Sequence, residues 1–322
     1  MASPNAVFTE LVSTTIRKHK KDIKDNVSNR NALYKAIYSK GNYDLEDGGL
    51  SIAIPLDYAE NGTYQRFSDW DVLNIGASDV ISSAEYTWKQ IALNVVASGR
   101  EMRINSGSSK LVSLAKAKMK NAIRTFTNNF SSDMYSAGTA TNQINGLQAL
   151  VNDTGVGTVG GIDSSATIGA FWRNEFFDLS TEGVTMSATT IENSVLLPAW
   201  LRVDRGPDDC PDLIVFDNNY YSFFESSQAS LKRYSTSKNM AAGMQNLMYK
   251  TAEVLYDGNS GIPANRGYML NTQYIKLCVH KDADLEVMDE ARPINQDGSV
   301  TQILWMGNMT CSNRSQQQVI LP

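Results

Sequence analysis

The sequence has 322 residues, of which 42% are hydrophobic and 20% are charged, so the chain is long enough and apolar enough to bury a substantial core. A small disulfide-stabilised scaffold and an intrinsically disordered chain are both excluded. Lys and Arg number 29 against 34 Asp and Glu, giving a net charge of -5. Because the whole molecule is not basic, any contact with nucleic acid must be local.

Cysteine spacing and apolar runs restrict the cellular environment. Cys210, Cys278 and Cys311 are far apart and form no Cys-x-x-Cys pair, so they predict neither a zinc site nor a disulfide framework. We therefore expect a reducing compartment. The first residues lack the pattern of a standard signal peptide, and no run approaches the roughly 20 apolar residues of a membrane helix, so no membrane partner is expected.

The chain begins with a basic segment. Residues 1–43 contain eight Lys or Arg against three Asp or Glu. The basic residues are Arg17, Lys18, Lys20, Lys21, Lys24, Arg30, Lys35 and Lys40. Clustered cations neutralise phosphates, so this arm is the part of the chain that we expect to contact nucleic acid.

The next segment, residues 44–88, is strongly acidic. It has nine Asp or Glu, and its one basic residue is Arg66. Apolar and polar residues alternate at 50–54 and from Tyr86 toward Val95, and Asn61-Gly62 is a turn signal. This pattern predicts a long two-stranded hairpin. An isolated hairpin is marginally stable in water, so we expect it to lie on another subunit.

A long amphipathic helix is predicted from about Ser109 to Ser136. Ser108 or Ser109 can cap it, and apolar residues recur every three or four positions as far as Met134. Its other faces are basic, with no acidic residue before Asp133. The helix is therefore the opposite in charge to the hairpin.

The remainder alternates helices and strands. We expect a mixed α/β unit over residues 141–265, with a helix bent at Pro198 and a buried strand over 213–216 that runs into Asp217 and an aromatic helix. Residues 274–279 and 303–306 are predicted strands, with a turn at Asp297-Gly298. The last part of the chain is thus predicted to be sheet.

No motif predicts chemistry. Gly155 to Gly160 matches the G-x-G-x-x-G pattern of dinucleotide-binding folds, but no strand feeds it and no helix starts within it, so a flexible loop is expected. The two histidines are His19 and His280. Other weak candidates are the pairs Ser113 and Lys116, Ser235 and Lys238, Asp69 and Asp71, and Asp208 and Asp209. We predict no catalytic residue, no cofactor and no metal site.

The order of basic arm, acidic hairpin, basic helix, α/β unit and sheet resembles the major capsid proteins of tailed bacteriophages, which have the Hong Kong 97-type (HK97-like) fold. Four segments resemble that family: Asn142–Leu150, Pro211–Phe216, Tyr268–Ile275 and Gly307–Arg314. The resemblance implies an α+β fold with an N-terminal arm (1–43), an extended loop or E-loop (44–100), a peripheral domain with a long spine helix (101–140), an axial α/β domain (141–270) and a return to the peripheral sheet (271–322).

The resemblance also implies a function. The chain would self-assemble as hexamers and pentamers into an icosahedral shell around double-stranded DNA in the virion, after assembly in the cytoplasm of the bacterial host. It would not be an enzyme. Expected partners are a portal protein and a separate scaffolding protein, because the arm is too short to serve as one. A decoration protein is a further candidate partner. Residues 44–88 contain no lysine, so the loop-lysine cross-link found in the family is not expected and the shell should be non-covalent.

The charge pattern defines candidate contact residues. On the hairpin and the helix, the candidates for contacts between subunits are Asp57, Glu60, Tyr64, Arg66, Phe67, Asp69, Trp70, Asp71, Lys110, Lys116, Lys118, Lys120 and Arg124. The DNA-facing candidates in the arm are Arg17, Lys18, Lys20, Lys21 and Lys24. An exposed ion pair contributes only about 0.2 to 1 kcal/mol, so we expect charge to set the register and apolar contacts to supply adhesion.

Three other functions are compatible with the sequence. An encapsulin-like nanocompartment shares the fold and encloses cargo enzymes in place of a genome. An α/β enzyme with a carboxylate site is a more distant possibility, since the usual histidine, phosphate-loop and metal patterns are missing. A monomeric binding module or adhesin is the third.

Overall fold

The computed structural model describes residues 32–76, 79–104, 108–228, 247–257, 261–288, 291–292 and 294–322. The α-helices are α1 (Ala32–Ser39), α2 (Gly99–Ile104), α3 (Ser108–Asp133), α4 (Leu147–Leu150), α5 (Leu197–Val203) and α6 (Asn218–Ser227). The strands are β1 (Tyr43–Glu46), β2 (Ser51–Asp57), β3 (Ile81–Thr87), β4 (Lys89–Ser98), β5 (Thr158–Val159), β6 (Ile162–Asp163), β7 (Glu175–Asp178), β8 (Leu213–Phe216), β9 (Leu247–Tyr249), β10 (Ala252–Tyr256), β11 (Gly267–Leu270), β12 (Ile275–His280), β13 (Glu286–Val287), β14 (Gly298–Cys311) and β15 (Gln318–Leu321).

The first of two large sheets has five strands and is built around β14. β12 and β13 pair with one edge of β14, and β1 pairs with β12. β4 pairs with the opposite edge of β14. Lys89 to Ser98 of β4 lie opposite Gly307 to Gly298, an antiparallel ladder of ten residues. The expectation that the second hairpin strand continues from Tyr86 to Val95 is therefore wrong, because the chain leaves the hairpin after Thr87 and joins this sheet.

The second sheet has six strands in the order β7-β15-β11-β8-β10-β9. The predicted buried strand over 213–216 is confirmed as β8, and all four of its residues are buried. Side chains alternate across a strand, so Leu213 and Val215 face one core while Ile214 and Phe216 face another. The final strand, β15, inserts between β7 and β11, so the last residues belong to this sheet and not to the five-stranded one.

Two apolar cores follow from this arrangement. The larger core lies between the two sheets and also receives α1, the buried face of α3 and the inner face of the hairpin. The smaller core lies on the other side of the six-stranded sheet, under α5 and α6. Because the larger core contains side chains from both sheets, the sheets share one interior.

The predicted long helix is α3, which spans 26 residues. Its buried side chains include Met119, Phe126 and Phe130, and the Phe130 ring packs edge-on against Trp305 at 5.1 Å between centroids. The helix ends at Asp133, three residues before the predicted end, because the amide of Leu147 donates to the carbonyl of Met134 at 2.8 Å and Gly138 has a positive φ of 65°.

The strands of the hairpin lie on their own chain. β2 and β3 pair in register from Ser51 opposite Thr87 to Asp57 opposite Ile81. The Glu85 amide donates to the carbonyl of Gly160, and the Tyr86 hydroxyl donates to the carbonyl of Cys311, each at 2.9 Å. The strand portion therefore needs no second subunit to cover its inner face, contrary to our expectation.

The glycine-rich segment forms an ordered turn. It leads into the short hairpin of β5 and β6, and no helix begins there, so the dinucleotide pattern has the wrong context, as predicted. Ser164 and Gly157 exchange hydrogen bonds, so the segment is not the flexible loop that we expected. Gly160 has a positive φ of 59°, and a Cβ atom there would lie 2.9 Å from Ala84. Only glycine fits this contact without strain.

The helix predicted to bend at Pro198 has an irregular start. Residues Ile191 to Leu196 form a π-helical turn, and α5 follows directly with Pro198 in its first turn. Proline has no amide hydrogen to donate, so the pattern of backbone hydrogen bonds is interrupted where the π-helical turn passes into α5. Asp217 caps α6 by accepting from the amide of Tyr220 at 3.0 Å. The predicted continuation of this aromatic helix to Arg233 lies outside the described residues.

Two segments that resemble the capsid family meet in the interior. Asn308, fully buried in β14, accepts from the Asn145 amide and donates to the carbonyl of Thr87, each at 2.9 Å. It thus connects the root of the hairpin to the chain that follows α3. Arg314 is also fully buried and donates to the carbonyls of Leu150 (2.6 Å) and Trp172 (2.9 Å) and to the side-chain oxygen of Asn174 (2.7 Å).

Candidate subunit interface

The hairpin ends in a tip, residues 58–80, and its described part (58–76 and 79–80) has its own internal structure. The Gln65 side chain donates to the carbonyl of Val72 at 3.0 Å and accepts from the amide of Asn74 at 3.1 Å. The Asn74 side chain donates to the carbonyl of Gly62 at 3.1 Å. These bonds fold the tip into a defined loop, although it is not part of either large sheet.

The tip exposes apolar side chains. The exposed fractions are 95% for Trp70, 91% for Val72 and 92% for Ile75, and Tyr64 and Phe67 are also exposed. Exposed apolar groups this close in sequence are typical of an interaction surface. Tyr64, Phe67 and Trp70 are among the candidates predicted from the sequence, whereas Val72 and Ile75 are not, because aliphatic residues give no sequence signal that separates a core position from an exposed one.

The acidic candidates in the tip, and Asp57 at the end of β2, are open to solvent. Asp57, Glu60, Asp69 and Asp71 are all exposed, and Asp71 accepts from the amide of Ser68 at 2.8 Å. Within the part of the chain that the structure describes, the first three have no hydrogen bond or ion pair through their carboxylates.

Two acids at the root of the hairpin are already paired within the chain. Asp44 lies 2.8 Å from the ammonium of Lys276, and Asp47 lies 3.3 Å from that of Lys281. The charge available to a neighbouring subunit is therefore concentrated toward the tip.

The basic candidates on α3 divide into two groups. Lys120 and Arg124 are exposed, whereas Lys118 is half-buried and its ammonium bonds to the Glu101 carboxylate (2.5 Å) and to the carbonyl of Val96 (2.8 Å). The bond from Lys118 to the Glu101 carboxylate, together with one from the Ser98 amide, lowers the pKa of Glu101. Lys118 thus fastens α3 to β4 and α2. The side chains of Lys110 and Lys116 lie outside the described ones.

Charge reversal should therefore separate folding from assembly. We expect the double variant Lys120→Glu with Arg124→Glu to leave the monomer folded but to impair assembly. Both side chains are exposed on the basic face of α3, where they can attract the acidic tip of another subunit. Lys118→Glu should instead place two carboxylates together and loosen α3 from β4. Circular dichroism melting of the monomer and light scattering of assembly distinguish the two effects, and normal assembly of the double variant would contradict a role for this surface.

Among the weak chemical candidates, Asp209 has structural partners. Asp209 accepts hydrogen bonds from Asn271 (3.1 Å), Tyr274 (3.0 Å) and Gln316 (2.6 Å), so its carboxylate joins loops between the two sheets. Cys278 and Cys311 are buried, and burial raises the pKa of Cys311 to about 12.

Several other candidates have no described side chain. These are Ser113, Ser235, Lys238 and the whole DNA-facing group Arg17, Lys18, Lys20, Lys21 and Lys24. Among the described residues there is no group of three His, Cys, Asp or Glu side chains that could hold a metal ion. None of the described helices combines the length and apolarity needed to cross a bilayer.

Comparison with solved structures assigns the fold to a class. The chain has the fold of phage capsid proteins, which confirms the expected HK97-like capsid fold. The capsid protein of cyanophage A-1(L) superposes with a TM-score of 0.65 at 15% sequence identity, covering 87% of this chain and 89% of that one.

Two further capsids show the same likeness. The capsid of Myoviridae phage XM1 gives a TM-score of 0.53 at 11% identity, covering 88% and 90% of the two chains. The capsid of an empty GTA particle gives 0.53 at 10% identity, covering 87% and 88%. No protein-family model matches the sequence, and no curated protein sequence is significantly similar to it. At these identities the likeness concerns the fold, which diverging sequences can retain.

Proposed function

We propose that this chain is a major capsid protein, which self-assembles as hexamers and pentamers into an icosahedral shell around the double-stranded DNA of a tailed phage. The observation that carries the proposal is the hairpin tip, which is internally hydrogen-bonded yet leaves Trp70, Val72 and Ile75 almost fully exposed. A folded loop with a solvated apolar surface fits a contact with another subunit. The capsid fold over 87% of the chain supports the same role.

The charges support contacts between different surfaces of identical copies. The tip is acidic and the exposed part of α3 is basic at Lys120 and Arg124. A contact between unlike surfaces is heterologous, and heterologous contacts close into rings when the rotation between copies allows it. Hexamers and pentamers are such rings. Charge would set the register of each contact, and the aromatic side chains of the tip would supply most of its adhesion.

The domain division follows the same proposal. We assign residues 1–43 to the arm, 44–100 to the extended loop, 101–140 to the spine-helix region, 141–270 to the axial domain and 271–322 to the peripheral return. The return applies to β12, β13 and β14, which lie in the five-stranded sheet, whereas β15 lies in the six-stranded one. Within 44–100, β1 and β4 also pair in the five-stranded sheet, so the part that extends from it runs from β2 to β3.

The remaining partners are part of the proposal. The basic arm would contact packaged DNA without sequence specificity, a separate scaffolding protein would guide assembly, and a portal protein would occupy one vertex. A decoration protein is a further candidate partner. The shell would be non-covalent, since residues 44–88 contain no lysine. Its assembly in the host cytoplasm and a purely structural, non-enzymatic role complete the proposal.

Electron microscopy provides the test. The protein is expressed alone and together with the products of its genomic neighbours, and negative staining and light scattering report particle size and mass. We expect closed shells or capsomers, and nuclease-protected DNA inside particles made during infection. Shells that carry protein cargo and no DNA would favour an encapsulin-like compartment. A protein that stays monomeric at high concentration, both when expressed alone and when expressed with its genomic neighbours, would overturn the proposal and favour a binding module or an enzyme.

A further inference from the structure

A groove lies where the hairpin strands end and the segment after β6 passes beneath them. It has a volume of about 300 Å³, and its lining includes Tyr58, Ile81, Phe171 and the acidic residues Asp79 and Asp163. The Tyr58 ring stacks on Phe171 at 5.1 Å, and its hydroxyl donates to the carbonyl of Asp79 at 3.1 Å. Aromatic packing and this hydrogen bond therefore shape the groove before any partner binds.

The rim of the groove is apolar and its charge is negative. Ile81 is 67% exposed and Ile168 is 83% exposed, so no described part of the chain covers them. The lining residues include no Lys or Arg. The nearby cation Arg173 donates to the carbonyls of Ser164 and Ser165, so its guanidinium is already engaged. The groove thus suits a cation that lies next to an aromatic ring.

The chain has such a pair at the hairpin tip. Arg66 is the one basic residue between positions 44 and 88, and it is exposed and without a side-chain partner in the described chain. Phe67, beside it, is also exposed, so neither residue fills the groove of its own chain. Trp70 is a poorer candidate, because Asp69 and Asp71 flank it and would be repelled by Asp79 and Asp163.

We propose that the groove receives Arg66 and Phe67 from the tip of a second copy of this chain. The inference rests on the proposed capsid function and specifies one of its contacts. Phe67 would pack among Ile81, Ile168 and Phe171, and Arg66 would face Asp79 and Asp163. Because Arg66 and Phe67 do not line the groove of their own chain, each copy gives this pair to one neighbour and receives the same pair from another, as a closed ring requires.

Charge exchange within one chain tests the electrostatic half of the contact. Arg66→Glu and Asp79→Lys are each expected to raise the protein concentration needed for assembly about tenfold, whereas Arg66→Lys keeps the cation and should change it little. The combination R66E/D79K restores an attractive pair in every contact, so it should assemble better than either single variant. A combination that assembles no better than the weaker single variant would overturn the proposal.

Cysteine pairing tests the geometry. In a Cys210→Ser background, Phe67→Cys with Ile168→Cys should give a ladder of disulfide-linked oligomers when capsomers or shells are oxidised, since cysteines bond only within a short Cα separation. The matched control is Phe67→Cys with Ile104→Cys, because Ile104 is similarly exposed but lies on α2. Shells that form normally but yield no ladder, or yield it only in the control, would overturn this contact and leave the capsid function standing. Failure of the unmodified protein to form any particle would overturn both.

Discussion

Replacing Arg314 with Met should lower the free energy of unfolding of the unassembled chain by about 3 kcal/mol or more. The guanidinium is fully buried and supplies three hydrogen bonds, to Leu150, Trp172 and Asn174. Without it, the carbonyls of Leu150 and Trp172 lose this donor, while the Asn174 oxygen keeps only the amide of Asn152 at 3.2 Å. Leaving a buried acceptor unsatisfied costs about 1 to 3 kcal/mol. Urea denaturation followed by tryptophan fluorescence measures the change.

Two further variants make the test of Arg314 specific. Arg314→Lys keeps a positive charge, but a single ammonium lacks the fork of donors needed to reach three acceptors, so it should also destabilise the protein. Arg100→Met removes an exposed arginine and should change stability by no more than about 0.5 kcal/mol. A midpoint for Arg314→Met equal to that of the unmodified protein would show that the buried bonds do not stabilise the fold.

The second large effect concerns assembly and not folding. Changing Trp70, Val72 and Ile75 together to Ser should raise the concentration needed for assembly at least about a hundredfold, while the monomer melts at an unchanged temperature. These side chains are more than nine-tenths exposed, so the folded monomer gains little from them. In an assembly they would be buried against a neighbouring subunit. The triple variant would lose that stabilisation at every contact between subunits.

Light scattering against protein concentration, with monomer melting measured alongside, checks this prediction. Ile294→Ser is the matched control, because Ile294 is also fully exposed but lies away from the hairpin. Assembly of the triple variant at the same concentration as the unmodified protein would mean that the tip does not supply adhesion.

Long elements with a strong pattern were predictable from the sequence. The 26-residue α3 and the buried strand β8 have apolar spacings that fit a single secondary structure, and Asp217 marks the start of α6. The end of α3 was less predictable, because it depends on the hydrogen bond from Leu147 to Met134, which joins residues beyond the helix. Local propensity contains no information about such a bond.

Partners distant in sequence account for most of what could not be predicted. The pattern of β4 is that of any strand, and only the ten-residue ladder with β14 shows that it belongs to a sheet and not to the hairpin. Lys118 resembles Lys120 in the sequence, yet the position of Glu101 makes it a structural residue. The groove beside Tyr58 could not be predicted either, since it forms from segments at 58–82 and 162–171, which are 80 or more positions apart.

The position of the last strands has a consequence for synthesis. β14 is the centre of one sheet and β15 lies inside the other, while β1 must wait for β12, more than 230 residues later. A chain interrupted before Gly298 would lack a central strand in both sheets, and its apolar surfaces would remain open to chaperones and proteases. Contacts this distant in sequence also slow folding. Truncated products would thus be eliminated before they could join an assembly and block its growth.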